Sequence, residues 1–204
     1  MAEQKRRRIG LMGGTFDPIH YGHLRAADEA HGAFDLSEVI FIPTGQPPHK
    51  AEKNVTPAED RYMMSVLATA ECPYFTVSRI EVERTGHSYT IDTLRELRAM
   101  PQYSGSDFYF ITGLDAVLDI MKWKNPDEII SMCKFVAVSR YGYTHQRMEE
   151  LPEGLRKAII PLEIPLLAIS STQLRERVSR NFSIRFLVPP AVESYIRKKS
   201  FYIN

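Results

Sequence analysis

The chain has 204 residues, 44% of them hydrophobic and 25% charged, with a formal net charge of +1. That length supports one domain with a substantial core, and the near-zero charge argues against a global attraction to nucleic acid or an anionic membrane. Two cysteines far apart, Cys72 and Cys133, argue against a disulfide framework and fit a reducing, cytoplasmic compartment; no apolar stretch reaches transmembrane length.

Short apolar runs alternate with longer amphipathic stretches. Arg8–Met12 reads as a strand and Tyr21–His31 as a helix. Glu38–Ile42 is strand-like and stops at Pro43. Thr56-Pro57-Ala58-Glu59 reads as a capping box that opens a helix to about Ala70. Phe75–Arg79 is a strand, Thr90–Met100 a helix and Asp107–Thr112 a strand. Asn125-Pro126-Asp127-Glu128 is a second capping signal before a short helix. Lys134–Ser139 and Ala158–Leu162 are strands; Ser171–Arg180 and Pro190–Lys199 are helices. His49–Val55 and Tyr141–Glu153 read as loops. Strands alternating with helices predict an α/β, Rossmann-like, doubly wound parallel sheet with helices on both faces. We expect one domain over residues 1–204, with a helical segment from about 170 to 204 packed on it. Ligands in such folds bind beyond the carboxyl ends of the strands.

Two stretches carry chemistry. The first, Gly13-Gly14-Thr15-Phe16-Asp17-Pro18-Ile19-His20-Tyr21-Gly22-His23, follows the first strand and enters the first helix. Its glycines let the backbone turn tightly and approach a ligand. The opening N–H groups of a helix lack intrahelical partners and sit at the positive end of its dipole. His20 and His23, three apart, face one side of the helix entry. Alone, each feature is also an ordinary turn, cap or surface histidine; together they describe a surface for phosphate. The second stretch, Ile169-Ser170-Ser171-Thr172-Gln173-Leu174-Arg175, places three hydroxyls at a helix start and an arginine one turn inside, suited to paired hydrogen bonds with phosphate oxygens.

Both stretches resemble the two signatures of the nucleotidyltransferase superfamily, complete and in the family's order, about 150 residues apart. The resemblance implies that Gly13, Gly14, Thr15, Phe16, His20 and His23 meet ATP. It implies the same for Ser170, Ser171, Thr172 and Arg175, with His20, His23 and Arg175 catalytic in a cationic cradle.

The middle of the chain selects the acceptor. Pro47-Pro48-His49-Lys50 holds a flexible cation in an extended loop. Ser88-Tyr89-Thr90 precedes a helix, Gly113 and Asp115 end a strand, and Trp123 is the only tryptophan. These stretches are similar to the bacterial nicotinate-nucleotide adenylyltransferase family. The resemblance implies that His49, Lys50, Ser88, Tyr89, Thr90 and Trp123 bind the mononucleotide. It adds Gly113 and Asp115 to the ATP contacts. The reaction implied joins ATP and nicotinate mononucleotide, with Mg²⁺ carried by ATP and no protein metal site. Other acceptors of the superfamily, nicotinamide mononucleotide or phosphopantetheine, stay open, as do a non-catalytic nucleotide-binding regulator and a homo-oligomeric state. One departure stands out. Many members carry an aromatic residue or histidine after the tryptophan, where this chain has Lys124.

Overall fold

The computed structural model describes residues 6–47, 55–139, 153–165 and 167–203. Six strands form one sheet: β1 (Arg8–Gly14), β2 (Glu38–Pro43), β3 (Phe75–Val77), β4 (Asp107–Gly113), β5 (Lys134–Ser139) and β6 (Ile159–Glu163). Their order is β3-β2-β1-β4-β5-β6. Strands β1–β4, β4–β5 and β5–β6 pair in parallel, with Leu11 opposite Phe110, Phe110 opposite Phe135 and Val136 opposite Ile160. The order runs outward in both directions from β1 and β4. With right-handed crossovers, that reversal sends helices to both faces, as the alternating pattern predicts. Strands covered on both sides are continuously apolar, and β2 has the sequence Glu-Val-Ile-Phe-Ile-Pro with all but Glu38 buried. Pro161, which has no N–H for a ladder, lies in the edge strand β6.

Eight α-helices occur among the described residues: α1 (Tyr21–Phe34), α2 (Ala58–Thr69), α3 (Thr90–Ala99), α4 (Leu114–Leu118), α5 (Pro126–Met132), α6 (Glu153–Ala158), α7 (Ser171–Ser179) and α8 (Pro190–Lys199). Most expected elements are found within one or two residues. Three expectations need correction. The capping box does not form: α2 begins after Pro57 with no side-chain cap. The Thr56 hydroxyl instead donates to Tyr202 Oη (3.3 Å), and Glu59 pairs with Arg79 (2.5 Å). A local cap lost to longer-range partners is a tertiary override of a sequence signal. Likewise Asn125 takes a left-handed conformation (φ 54°) before α5 without capping it. Glu153, expected in a loop, opens α6; residues 141–152 of that loop lie outside the described residues, as do 49–54 of the earlier one.

The chain divides into two compact units. One comprises Met1–Gly13, Ala26–Ile40 and Tyr89–Pro165. It contains β4, β5 and β6 and helices α3 to α6, with Ile9, Leu11, Ile111, Phe108, Phe135 and Val136 at its apolar centre. Cys133 is buried there, and burial pushes its thiol up to about 12. The other comprises Gly14–Arg25, Phe41–Ser88 and Leu166–Asn204. It contains α2, β3, α7 and α8 and both chemical signatures.

Gly45 of the second unit shows how tightly its loops pack. A Cβ there would lie 2.0 Å from the Glu81 carbonyl oxygen, so no side chain fits without moving backbone. Gly32, exposed in α1, would meet nothing within 4 Å. Gly45→Ala should therefore lower stability by about 1–3 kcal/mol, as overpacking does. Gly32→Ala should raise it by roughly 0.5–1 kcal/mol through helix propensity. Denaturant midpoints of the two variants check both signs.

Candidate functional site

Within the second unit the first signature is held by its backbone. Leaving β1, the chain turns at Phe16, whose φ of 49° is rare for a bulky residue. Phe16 is buried, edge-on to His23 at 5.1 Å and tilted against Phe41 at 5.9 Å. Its side chain supports a histidine. The Asp17–Pro18 peptide is cis.

His20 and His23 stack, with ring centroids 3.7 Å apart and planes 22° from parallel. Gly22 makes room for this: a Cβ would sit 3.0 Å from the His20 ring. The His20 backbone N–H donates to His23 Nδ1 (3.2 Å). That bond places the neutral ring's proton on Nε2, a donor. His20 is 5% exposed, and its Nδ1 has no hydrogen-bond partner among the described residues. A buried polar atom left unmatched costs about 1–3 kcal/mol, and a ligand that bonds to it recovers that cost. Burial lowers the His20 pKa to about 4. Burial first, and then the neighbouring His20, hold His23 well below its ordinary value. Both imidazoles are therefore neutral at pH 7 in the free protein. The helix end is also less open than expected, because the Tyr21 N–H donates to the Leu187 carbonyl (3.2 Å).

The second signature closes onto the first. Arg175 Nη1 donates to the Asp17 carbonyl (2.8 Å), and Ser171 Oγ donates to the Pro18 carbonyl (2.9 Å). Arg175 Nη2 donates to Thr172 Oγ1 (3.3 Å), and Ser170 Oγ accepts from the Gln173 N–H, capping α7. The two motifs thus meet directly, and part of their hydroxyl and guanidinium capacity shapes the loop between them.

Two residues that hold this loop, Arg61 and Tyr202, carry no local signal. Arg61, 1% exposed, donates to the carbonyls of Thr15 (2.7 Å), Gly45 (2.8 Å) and Thr56 (2.8 Å). In sequence it is one arginine on an amphipathic helix, which reads as solvent-facing. Asp17, 3% exposed, accepts from the Thr56 N–H (3.2 Å) and the Tyr202 hydroxyl (2.5 Å). Only the distance between these residues in sequence hides them, because their chemistry is plain once they touch. Ser88, expected to meet the mononucleotide, is buried and accepts from the Gly45 N–H (3.2 Å). It fixes the loop after β2.

The remaining expected residues belong to the first unit. Tyr89 precedes α3 in an extended conformation and Thr90 begins the helix. Gly113 precedes α4, with Asp115 in its first turn. Trp123 is half-buried and edge-on to Phe110, 6.0 Å away. Lys124 lies over the Tyr89 ring at 4.5 Å and donates to Asp92 Oδ2 (3.0 Å), so the departure at this position has become an aromatic and acidic contact. His49 and Lys50 lie outside the described residues. Among the described residues, no group of three or more His, Cys, Asp or Glu could hold a metal ion, and no helix is long and apolar enough to cross a membrane.

Comparison with known proteins gives the family and the fold. The cytidylyltransferase-like family pattern matches residues 11–177. A protein of Acidothermus cellulolyticus named "probable nicotinate-nucleotide adenylyltransferase" is 52% identical over 97% of this chain and 95% of its own length. One of the same name from Moorella thermoacetica is 51% identical over 96% and 91%. In fold, the chain is similar to the Plasmodium falciparum nicotinic acid mononucleotide adenylyltransferase complexed with NaAD. The TM-score is 0.76 at 21% identity, covering 97% of this chain and 98% of that one. Half of all positions are identical along nearly the full length, and two intact signatures are folded against each other. On those grounds the chain belongs to the nicotinate-nucleotide adenylyltransferase family.

Proposed function

We propose that the protein joins nicotinate mononucleotide to ATP, forming deamido-NAD and pyrophosphate, a step of NAD biosynthesis. The observation that carries this reading is the contact between the two signatures. Arg175 and Ser171 are bonded to the loop that presents His20 and His23.

In the proposed reaction a phosphate oxygen of the mononucleotide attacks the α-phosphorus of ATP in line, and the bond to pyrophosphate breaks. The nucleophile is already anionic at neutral pH, so alignment and charge stabilisation do most of the work. His23, with its proton on Nε2, donates to a phosphate oxygen. His20 offers a buried ring nitrogen whose match is supplied by substrate. The Arg175 guanidinium faces the departing pyrophosphate with the donors that Asp17 and Thr172 leave over. Gly113 and Asp115 contact ATP in this reading, while Tyr89, Thr90, Trp123, His49 and Lys50 receive the mononucleotide. Mg²⁺ arrives with ATP, bound by phosphate oxygens and water, and supplies neutralisation of the phosphate charge. A cytoplasmic setting belongs to the same reading and is supported by the two free thiols of Cys72 and Cys133.

Initial rates of pyrophosphate release test the reading. Release should be faster with nicotinate than with nicotinamide mononucleotide; the reverse order would overturn the acceptor, and no release with either would overturn the reaction. His20→Ala should lower turnover by ~10²–10³, as for removal of one preorganised donor. Histidine burial also predicts a pH dependence of stability. Below pH 6.5 the unfolded chain binds a proton that folded His20 refuses until about pH 4. The stabilisation is thus full above 6.5 and is lost as pH falls. His20 alone accounts for about 2 kcal/mol between pH 7 and pH 5. Denaturant midpoints at the two pH values should fall less in His20→Asn than in the unsubstituted protein.

A further inference from the structure

We propose that Tyr202 is a positioning residue for adenylyl transfer, acting through Asp17 to fix the loop that presents His20 and His23. This rests on the reading of that loop as the phosphate site. Tyr202 lies just beyond α8, 185 residues from Asp17 in sequence. Its hydroxyl donates to Asp17 Oδ1 (2.5 Å) and accepts from Thr56 Oγ1 (3.3 Å), while the Thr56 N–H donates to Asp17 Oδ2 (3.2 Å). Both carboxylate oxygens of a buried aspartate are therefore tied down from outside the loop. The Asp17 carbonyl is held independently by Arg175 (2.8 Å). Asp17 is three residues before His20, so its restraint acts directly on the approach to the stacked imidazoles.

Two further observations set this contact apart from incidental packing. Tyr202 has φ 64°, a left-handed conformation costly for an aromatic residue and kept only where surroundings impose it. Burial and the adjacent Asp17 charge also hold its phenol far above the ordinary range, so it remains a donor throughout the working pH range. The ring is supported separately, by a tilted contact with Phe201 at 6.0 Å, which allows the hydroxyl to be removed with the packing kept.

Tyr202→Phe performs that removal, and Asp17→Asn approaches the same contact from the other side. Pyrophosphate release should show kcat about 10- to 100-fold lower in either variant, the scale of a misplaced catalytic geometry. The KM for the mononucleotide should change less than twofold. Proton NMR titration of the histidines gives a readout independent of turnover. The His20 resonance should move from about 4 toward its ordinary 6.5 as the loop loosens. A folded variant of either kind with unchanged kcat and unchanged His20 titration, whatever its melting temperature, would overturn the proposal and leave Tyr202 a structural contact. Absence of pyrophosphate release from the unsubstituted protein would instead overturn the proposed reaction, and the titration would still judge the role of Tyr202.

Discussion

The loop between β1 and α1 has no regular hydrogen-bonding pattern of its own, and its shape depends on carbonyl oxygens satisfied from elsewhere. Arg61 takes the Thr15 carbonyl, Arg175 the Asp17 carbonyl and Ser171 the Pro18 carbonyl. Buried backbone acceptors need partners, and here they come from two helices remote in sequence, Arg61 from α2 and both Ser171 and Arg175 from α7. Charged donors make these bonds stronger than neutral ones. Arg61 is the most demanding of the three. It is buried with its charge, and three carbonyl dipoles and the nearby Asp17 offset the loss of water. That compensation lets a buried charge tie the Thr15 carbonyl, one residue before the left-handed Phe16, to the Gly45 and Thr56 carbonyls.

The same arrangement explains why the imidazoles carry no charge in the free protein. Stacked at 3.7 Å, two protonated rings would repel, and burial already disfavours the charged form. Positive character at the site therefore falls to guanidinium groups and backbone dipoles, which do not titrate near neutrality. In the proposed reaction such a set of donors, fixed in advance, would need little rearrangement as charge develops on the transferred group.

Much of this was legible in the sequence. Continuous apolar strands separated by amphipathic stretches specified the parallel sheet, and the two signatures pointed to their own meeting. Short-range patterns failed where distant partners competed. The Thr56 capping box was a sound local signal, but Tyr202 and Asp17 bind that threonine instead. Ser88, read from sequence as a hydroxyl before a helix, also accepts from the Gly45 N–H, a contact 43 residues away that no local pattern announces. Arg61 and Tyr202 could not be found by spacing at all. Their partners lie 46 and 185 residues away, and a lone arginine on a helix or a tyrosine near a terminus carries no pattern.

Because the loop's acceptors are main-chain oxygens and its donors are remote, the first signature is not portable. A peptide spanning residues 13–23, or that segment spliced into a foreign scaffold, would keep every side chain of the motif. It would lack the guanidinium and hydroxyl groups 46, 153 and 158 positions downstream that give the loop its form. Transplanting this turn into a designed enzyme would mean moving its remote buttresses with it.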